Sequence, residues 1–320
     1  MQRRRGIRRG TVAVGIAATL LAAGCSAADP GVVSSSGAAA TSLRPSSPGS
    51  LPAATARAAV GHIVIIVEEN HSVSTILGDA AAPYINSLAD RYSLATNYHA
   101  IAHPSLPNYL ALMAGTTAGI TTDCTPGPHC VAGVPNITDA LERSGRTWKM
   151  YAEGMPAPCT AANSGRYAVR HNPFMYFPGV TSDPAACAQH VVPFTQLARD
   201  LKTAASLPDF VFISPDTCND MHDCPVATGD AWLAREVPKI LDSPAFTRQN
   251  SLLVLTWDED DHTDRNTVAT LFAGPAARRG ATFSRLYDHY SLLHTVEDLW
   301  DLPPLTANDR DAPVMGDLLR

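Results

Sequence analysis

The chain reads as an α/β protein whose mostly parallel central sheet is covered by helices on both faces. Three observations predict this. Short apolar runs, such as the all-β-branched run over 63–67, suit strands buried on both sides. From about residue 60 these runs alternate with segments of helical spacing. Polar residues suited to chemistry follow the runs, and sites in such sheets form at the carboxyl ends of strands.

In order, the first strand covers 63–67. Residues 83–94 have helical spacing, with Ile85, Leu88, Tyr92 and Leu94 on one broad face. A short strand near 94–99 precedes a helix over 105–114. Strands are expected at 147–151 and 210–213, a helix at 229–241, and strands at 251–257 and 268–273. An amphipathic helix over 289–302 closes the chain. No internal repeat is visible.

The first 25 residues read as a targeting segment. Arg3, Arg4, Arg5, Arg8 and Arg9 form a basic start, and the apolar run over 11–21 is too short to span a bilayer as a mature helix. Leu21-Ala22-Ala23-Gly24-Cys25 resembles a bacterial lipobox, with Cys25 as the lipidated residue; an ordinary signal peptide with a chance cysteine is the other reading. Residues 26–58 are almost all Ala, Ser, Gly, Pro and Thr, and bury too little apolar surface to offset ordering. They are expected to form a disordered tether. One folded domain would occupy 59–320. The expected location is outside the cell, lipid-anchored on the outer membrane face or secreted.

Without residues 1–25, which carry five Arg and no acid, 19 basic residues face 30 acids, a net charge of about −11. With no basic run left, a nucleic-acid partner is not expected. Six cysteines follow Cys25 and fall into three sequential pairs: Cys124 with Cys130, Cys159 with Cys187, and Cys218 with Cys224. Three disulfides in that pairing suit export, although six cysteines allow about 15 pairings and a zinc cluster is the alternative.

Four stretches carry the chemistry. His103-Pro104-Ser105-Leu106-Pro107-Asn108-Tyr109 places Ser105 at a helix start, either as a cap or as a nucleophile beside helix N–H groups. Asp258-Glu259-Asp260-Asp261 gathers four acids after a strand, and Glu69-Asn70 adds two oxygen donors after another; hard divalent cations suit such donors. Asp216, Asn219, Asp220, His222 and Asp223 surround Cys218 and Cys224. His289 stands at a helix start.

Together these segments, with Gly229-Asp230-Ala231-Trp232-Leu233 and His289-Tyr290-Ser291, resemble the bacterial phosphoesterase family. That family holds acid phosphatases and phospholipases C, within the alkaline-phosphatase-like superfamily. The resemblance covers nearly all of residues 60–303 and implies an alkaline-phosphatase-like fold. It also implies that a divalent metal ion, identity open, is held by Glu69, Asn70, Ser105, Asp258 and Glu259, with Asp216 added as a further polar position. Ser105 would attack phosphorus, His103 or His222 would protonate the leaving oxygen, and Asn108 and His289 would contact substrate. The compact length and the 219–223 segment are most similar to the family's secreted acid phosphatases, which implies monoesters, phosphoinositides among them. The expected partners are a phosphorylated small molecule or phospholipid head group, and the membrane through the anchor.

Three other readings stand beside this one. A sulfatase signature would have Arg where Tyr109 stands. A phospholipase C-type phosphodiesterase is the enzymatic alternative, although such relatives are generally longer. A non-catalytic lipoprotein that binds phosphorylated ligands comes from another class. One departure from the family pattern is His262-Thr263 after Asp261, where relatives usually have Gly.

Overall fold

The computed structural model describes residues 58–320. The expected export signal, the lipobox with Cys25, and all of the 26–58 tether but its last residue lie outside the described residues. Nine strands form one sheet: β1 Ile63–Glu68, β2 Ser93–His99, β3 Trp148–Ala152, β4 Val191–Pro193, β5 Phe210–Ser214, β6 Leu252–Trp257, β7 Thr267–Ala273, β8 Ala281–Phe283 and β9 Tyr287–Asp288. Their order is β4-β3-β5-β1-β6-β7-β2-β8, with β9 also paired to β2. Every pairing is parallel except those of β7 with β6 and with β2, so β7 alone runs backwards.

Every residue of β1, β5, β6 and β7 is buried, which means that both faces of the central sheet are covered. This is the burial that the unbroken apolar runs call for. The longer helices are α1 Pro83–Arg91, α2 Ser105–Ala114, α3 Val226–Leu241 and α4 His289–Leu299. They pack as two pairs, α1 with α3 and α2 with α4. All ten residues of α2 are buried, including the polar Ser105 and Asn108, so this helix threads the core rather than lining the surface.

Two ends differ from expectation. The helix over 83–94 stops at Arg91, because Leu94 belongs to β2 and pairs with Leu271. The chain does not close on the helix over 289–302. That helix ends at Leu299, and the short helices Ala307–Asp311 and Gly316–Leu318 follow. Gly115 ends α2 in the left-handed region at φ +65, and a Cβ there would lie 2.3 Å from Asp309 Oδ1. Only glycine lets the helix end meet that C-terminal segment so closely.

Candidate active site

Glu69, Asn70, Ser105, Asp258 and Glu259 lie together past the carboxyl ends of neighbouring strands. β1 leads into Glu69 and Asn70, and neighbouring β6 leads into Asp258 and Glu259. The loop after β2 delivers Ser105 to the start of α2. Asn70 takes a left-handed backbone conformation at φ 51, which Asn tolerates better than most residues. That turn lets its N–H donate to Asp258 Oδ1 at 3.2 Å, tying the two strand ends together.

Glu69 is the hub. Ser105 Oγ donates to its Oε2 at 3.1 Å, and the Tyr109 hydroxyl donates to its Oε1 at 2.6 Å. His171 Nε2 lies 3.2 Å from the same Oε1, and His171 Nδ1 reaches Asp220 Oδ2 at 3.1 Å. Ser105, Glu69, His171 and Asp220 thus form a buried chain of contacts. A flat stack of Tyr109 on His171, centroids 5.4 Å apart, fixes its orientation.

Burial raises the pKa values of four of these carboxyls. Glu69 is pushed well up by burial and then by the charges of Asp258 and Asp220. Asp258 is raised to about 7 and Asp220 to about 8, in both cases chiefly by burial. Glu259 rises to about 9 through burial and then Asp258, Asp123 and Asp260. A cluster of this kind favours an added positive charge, whether proton or cation.

Beyond this core, His103 bridges two acids, with Nδ1 2.9 Å from Glu259 Oε2 and Nε2 3.2 Å from Asp260 Oδ1. It stacks on His262, centroids 3.9 Å apart, and His262 itself sits in the left-handed region at φ 65. His222 Nδ1 meets Asp223 at 2.7 Å and its Nε2 meets Arg170 at 3.0 Å. The loop carrying Asp220 and His222 is closed by the Cys218–Cys224 disulfide. Gly229 of α3 lets that loop pack closely, since a Cβ there would lie 2.5 Å from the Met221 side chain. The Cys124–Cys130 and Cys159–Cys187 disulfides are also present.

Three expected site residues turn elsewhere. Asp216 Oδ1 accepts from the Cys218 and Asn219 N–H groups, so it folds its own loop, and Asp220 is the acid that reaches the centre. Asn108 is fully buried; its Oδ1 holds the Ile101 and Ala102 N–H groups and its amide donates to Glu259. His289 is fully buried between the Tyr98 hydroxyl and the Asp258 carbonyl, so it reaches the site only through that backbone.

A match to the phosphoesterase family spans residues 78–303, most of the chain. The chain belongs to the phosphoesterase family. It is 38% identical over 267 residues to a phosphatidylinositol-3-phosphatase of Mycobacterium tuberculosis, covering 83% of this chain and 85% of that protein. It is 33% identical over 243 residues to a phosphate-repressible acid phosphatase of Penicillium chrysogenum, covering 72% of this chain and 57% of that longer protein. Among solved structures, an alkaline phosphatase superfamily protein from Vibrio parahaemolyticus superposes with TM-score 0.58 at 12% identity, over 81% of this chain and 71% of that one. The fold is therefore alkaline-phosphatase-like, and the enzyme is an acid-phosphatase-like hydrolase of phosphate esters.

Two sets of donors in this phosphoesterase fit a cation. Asn70 Oδ1 and Asp258 Oδ2 are buried without hydrogen-bond partners, at the strand ends that also carry Glu69; with Ser105 these residues offer an all-oxygen set that suits a hard divalent ion. Glu69, His171 and Asp220 also bring one ligand atom each within 4.8 Å of one another. His171, Asp123 and Arg170 carry no signal of their own in the sequence. Tyr109 stands in the 103–109 motif, where it argues against a sulfatase, but nothing there shows that its hydroxyl reaches Glu69.

Proposed function

We propose that this chain is an exported, metal-dependent phosphatase that cleaves phosphate monoesters through a phosphoserine formed on Ser105. The observation that carries the reading is the Ser105 hydroxyl at the start of α2, donating to Glu69 at 3.1 Å beside the unpartnered oxygens of Asn70 and Asp258. A divalent ion held by Glu69, Asn70, Ser105 and Asp258, with Glu259 alongside, would polarise the phosphoryl oxygens and favour ionised Ser105. His171 and Asp220 then act behind Glu69, orienting it as carboxylate–imidazole pairs orient ligands elsewhere.

In the first step the Ser105 Oγ–phosphorus bond forms and the bond to the leaving oxygen breaks. The Ser105 proton passes to Glu69, its hydrogen-bond acceptor. A proton from His103 or His222 goes to the leaving oxygen. Water then attacks phosphorus and gives a proton to the same imidazole, while the Ser105 Oγ–phosphorus bond breaks and Glu69 returns its proton to Ser105. The positive end of the α2 dipole, more than its N–H groups, favours the charge that develops on the phosphoryl group, since the Leu106 N–H is held by Asp123 and Pro107 has none.

A phosphoinositide head group is the substrate class supported by the similarity to a phosphatidylinositol-3-phosphatase. An export signal over 1–25, lipidation at Cys25 and a tether over 26–58 would hold the 59–320 domain near such lipids. The test compares p-nitrophenyl phosphate with its bis-ester, before and after metal depletion. The monoester should be cleaved at least about tenfold faster, and depletion should abolish both activities until a divalent ion is restored. Diester preference would assign a phospholipase C-type activity instead, and full activity without metal would remove the ion from the reading.

A further inference from the structure

A pocket lined by carboxylates repels a doubly charged phosphate unless positive groups stand beside it. The Arg170 guanidinium lies close to this cluster. Arg170 lies in the short 3-10 segment Val169–His171, directly before the imidazole that contacts Glu69. Its Nη2 donates to His222 Nε2 at 3.0 Å. Its Nε lies 3.6 Å from Asp123 Oδ2, an ion pair beyond hydrogen-bond reach, and is buried without a hydrogen-bond partner.

Asp123 links this guanidinium to the nucleophile's helix, because its Oδ1 accepts the Leu106 N–H at 2.9 Å, one residue after Ser105. The Arg170 charge also acts on Glu259, opposing the acids that raise it. The one side chain therefore touches His222, reaches the start of α2 through Asp123, and acts by its charge on Glu259.

The Nε and Nη2 groups form one edge of a guanidinium, with two parallel N–H bonds that match two oxygens of a phosphate. Along that edge Arg170 has one donor without a hydrogen-bond partner and the other on His222 Nε2. Two phosphoryl oxygens are stronger acceptors for both. A monoester phosphoryl group has three non-bridging oxygens and a second negative charge, whereas a diester has two oxygens and one charge.

We propose that Arg170 clamps the terminal phosphoryl group through its Nε–Nη2 edge and so selects monoesters over diesters. The proposal deepens the phosphatase reading and rests on it. Asp123 and His222 act as positioning residues that hold the guanidinium ready.

The test uses the purified, metal-replete full chain and its Arg170→Gln and Arg170→Lys variants. Inorganic phosphate binding is measured by calorimetry, and kcat/KM is measured for p-nitrophenyl phosphate and for its bis-ester. Arg170→Gln should weaken phosphate binding about tenfold or more and lower the monoester kcat/KM about a hundredfold. The bis-ester value should change less than about threefold, so that the ratio of the two collapses. Arg170→Lys keeps the charge without the fork and should fall between the wild type and the Gln variant. Phosphate affinity within twofold of wild type in Arg170→Gln would overturn the proposal, as would equal loss on both esters. Should thermal melting show that Arg170→Gln does not fold, wild-type affinity and ester ratio in Arg170→Lys would overturn it. A wild type that cleaves neither ester would sink the phosphatase reading itself, while the phosphate calorimetry would still decide on Arg170.

Discussion

His289 donates its Nε2–H to the Asp258 carbonyl at 2.7 Å, and its Nδ1 accepts from the Tyr98 hydroxyl at 2.9 Å. Burial drops its pKa to about 4, so the ring is neutral in this arrangement. Its work is to hold the peptide that carries Asp258. Replacing it by Phe leaves a buried carbonyl and a buried hydroxyl unpartnered, at about 1–3 kcal/mol each. His289→Phe should therefore destabilise the chain by roughly 2–6 kcal/mol in denaturant melts. It should lower kcat more than it raises KM, because Asp258 rather than substrate is displaced. At this scale the sequence was legible where a motif names the residue, as with Glu69, Ser105 and Asp258. It was silent on His171 and Arg170, which lie in a 3-10 segment with no period to mark it. It also misplaced Asp216, because an acid in a loop looks the same whether it caps backbone or faces the site.

Among the elements, α4 carries a buried acid of its own. Glu297 is fully buried, accepts the Leu305 N–H at 3.2 Å through Oε1, and leaves Oε2 without a hydrogen-bond partner. Burial, and then the Asp309 charge, raises its pKa to about 9 from a usual 4.5. A carboxyl raised in the folded state stabilises fully below its unfolded pKa. That contribution is lost as pH climbs from about 4.5 towards 9, since only the unfolded chain ionises freely. Glu297→Gln should match wild-type stability near pH 4.5 and exceed it by about 1–3 kcal/mol at pH 8, read from denaturant midpoints. A difference that does not change with pH would contradict this. The strands around that helix were legible because β1, β5 and β6 are unbroken apolar runs. β4, β8 and β9 were not, being only two or three residues long.

On the scale of the whole molecule, the sheet and the helix pairs bring residues from distant parts of the sequence to one rim. β1 and β6 are nearly two hundred residues apart in the chain, yet Glu68 pairs with Trp257 and so places Glu69 beside Asp258. The parallel order behind that pairing was readable as a class of fold, but the reversal of β7 was not, because a buried run looks alike in either direction. The proposed anchor belongs to this scale too. Cys25→Ser should move the protein from the membrane fraction to a soluble pool or the medium, and an unchanged distribution would remove lipidation. The central claim, a covalent phosphate on Ser105, is tested most directly by acid quench during turnover of p-nitrophenyl phosphate, followed by peptide mass mapping. The account predicts a phosphate adduct on the peptide carrying Ser105, with no adduct and turnover lower by several orders of magnitude in Ser105→Ala. A Ser105→Ala enzyme that turns over at the wild-type rate, with no adduct in either protein, would contradict it.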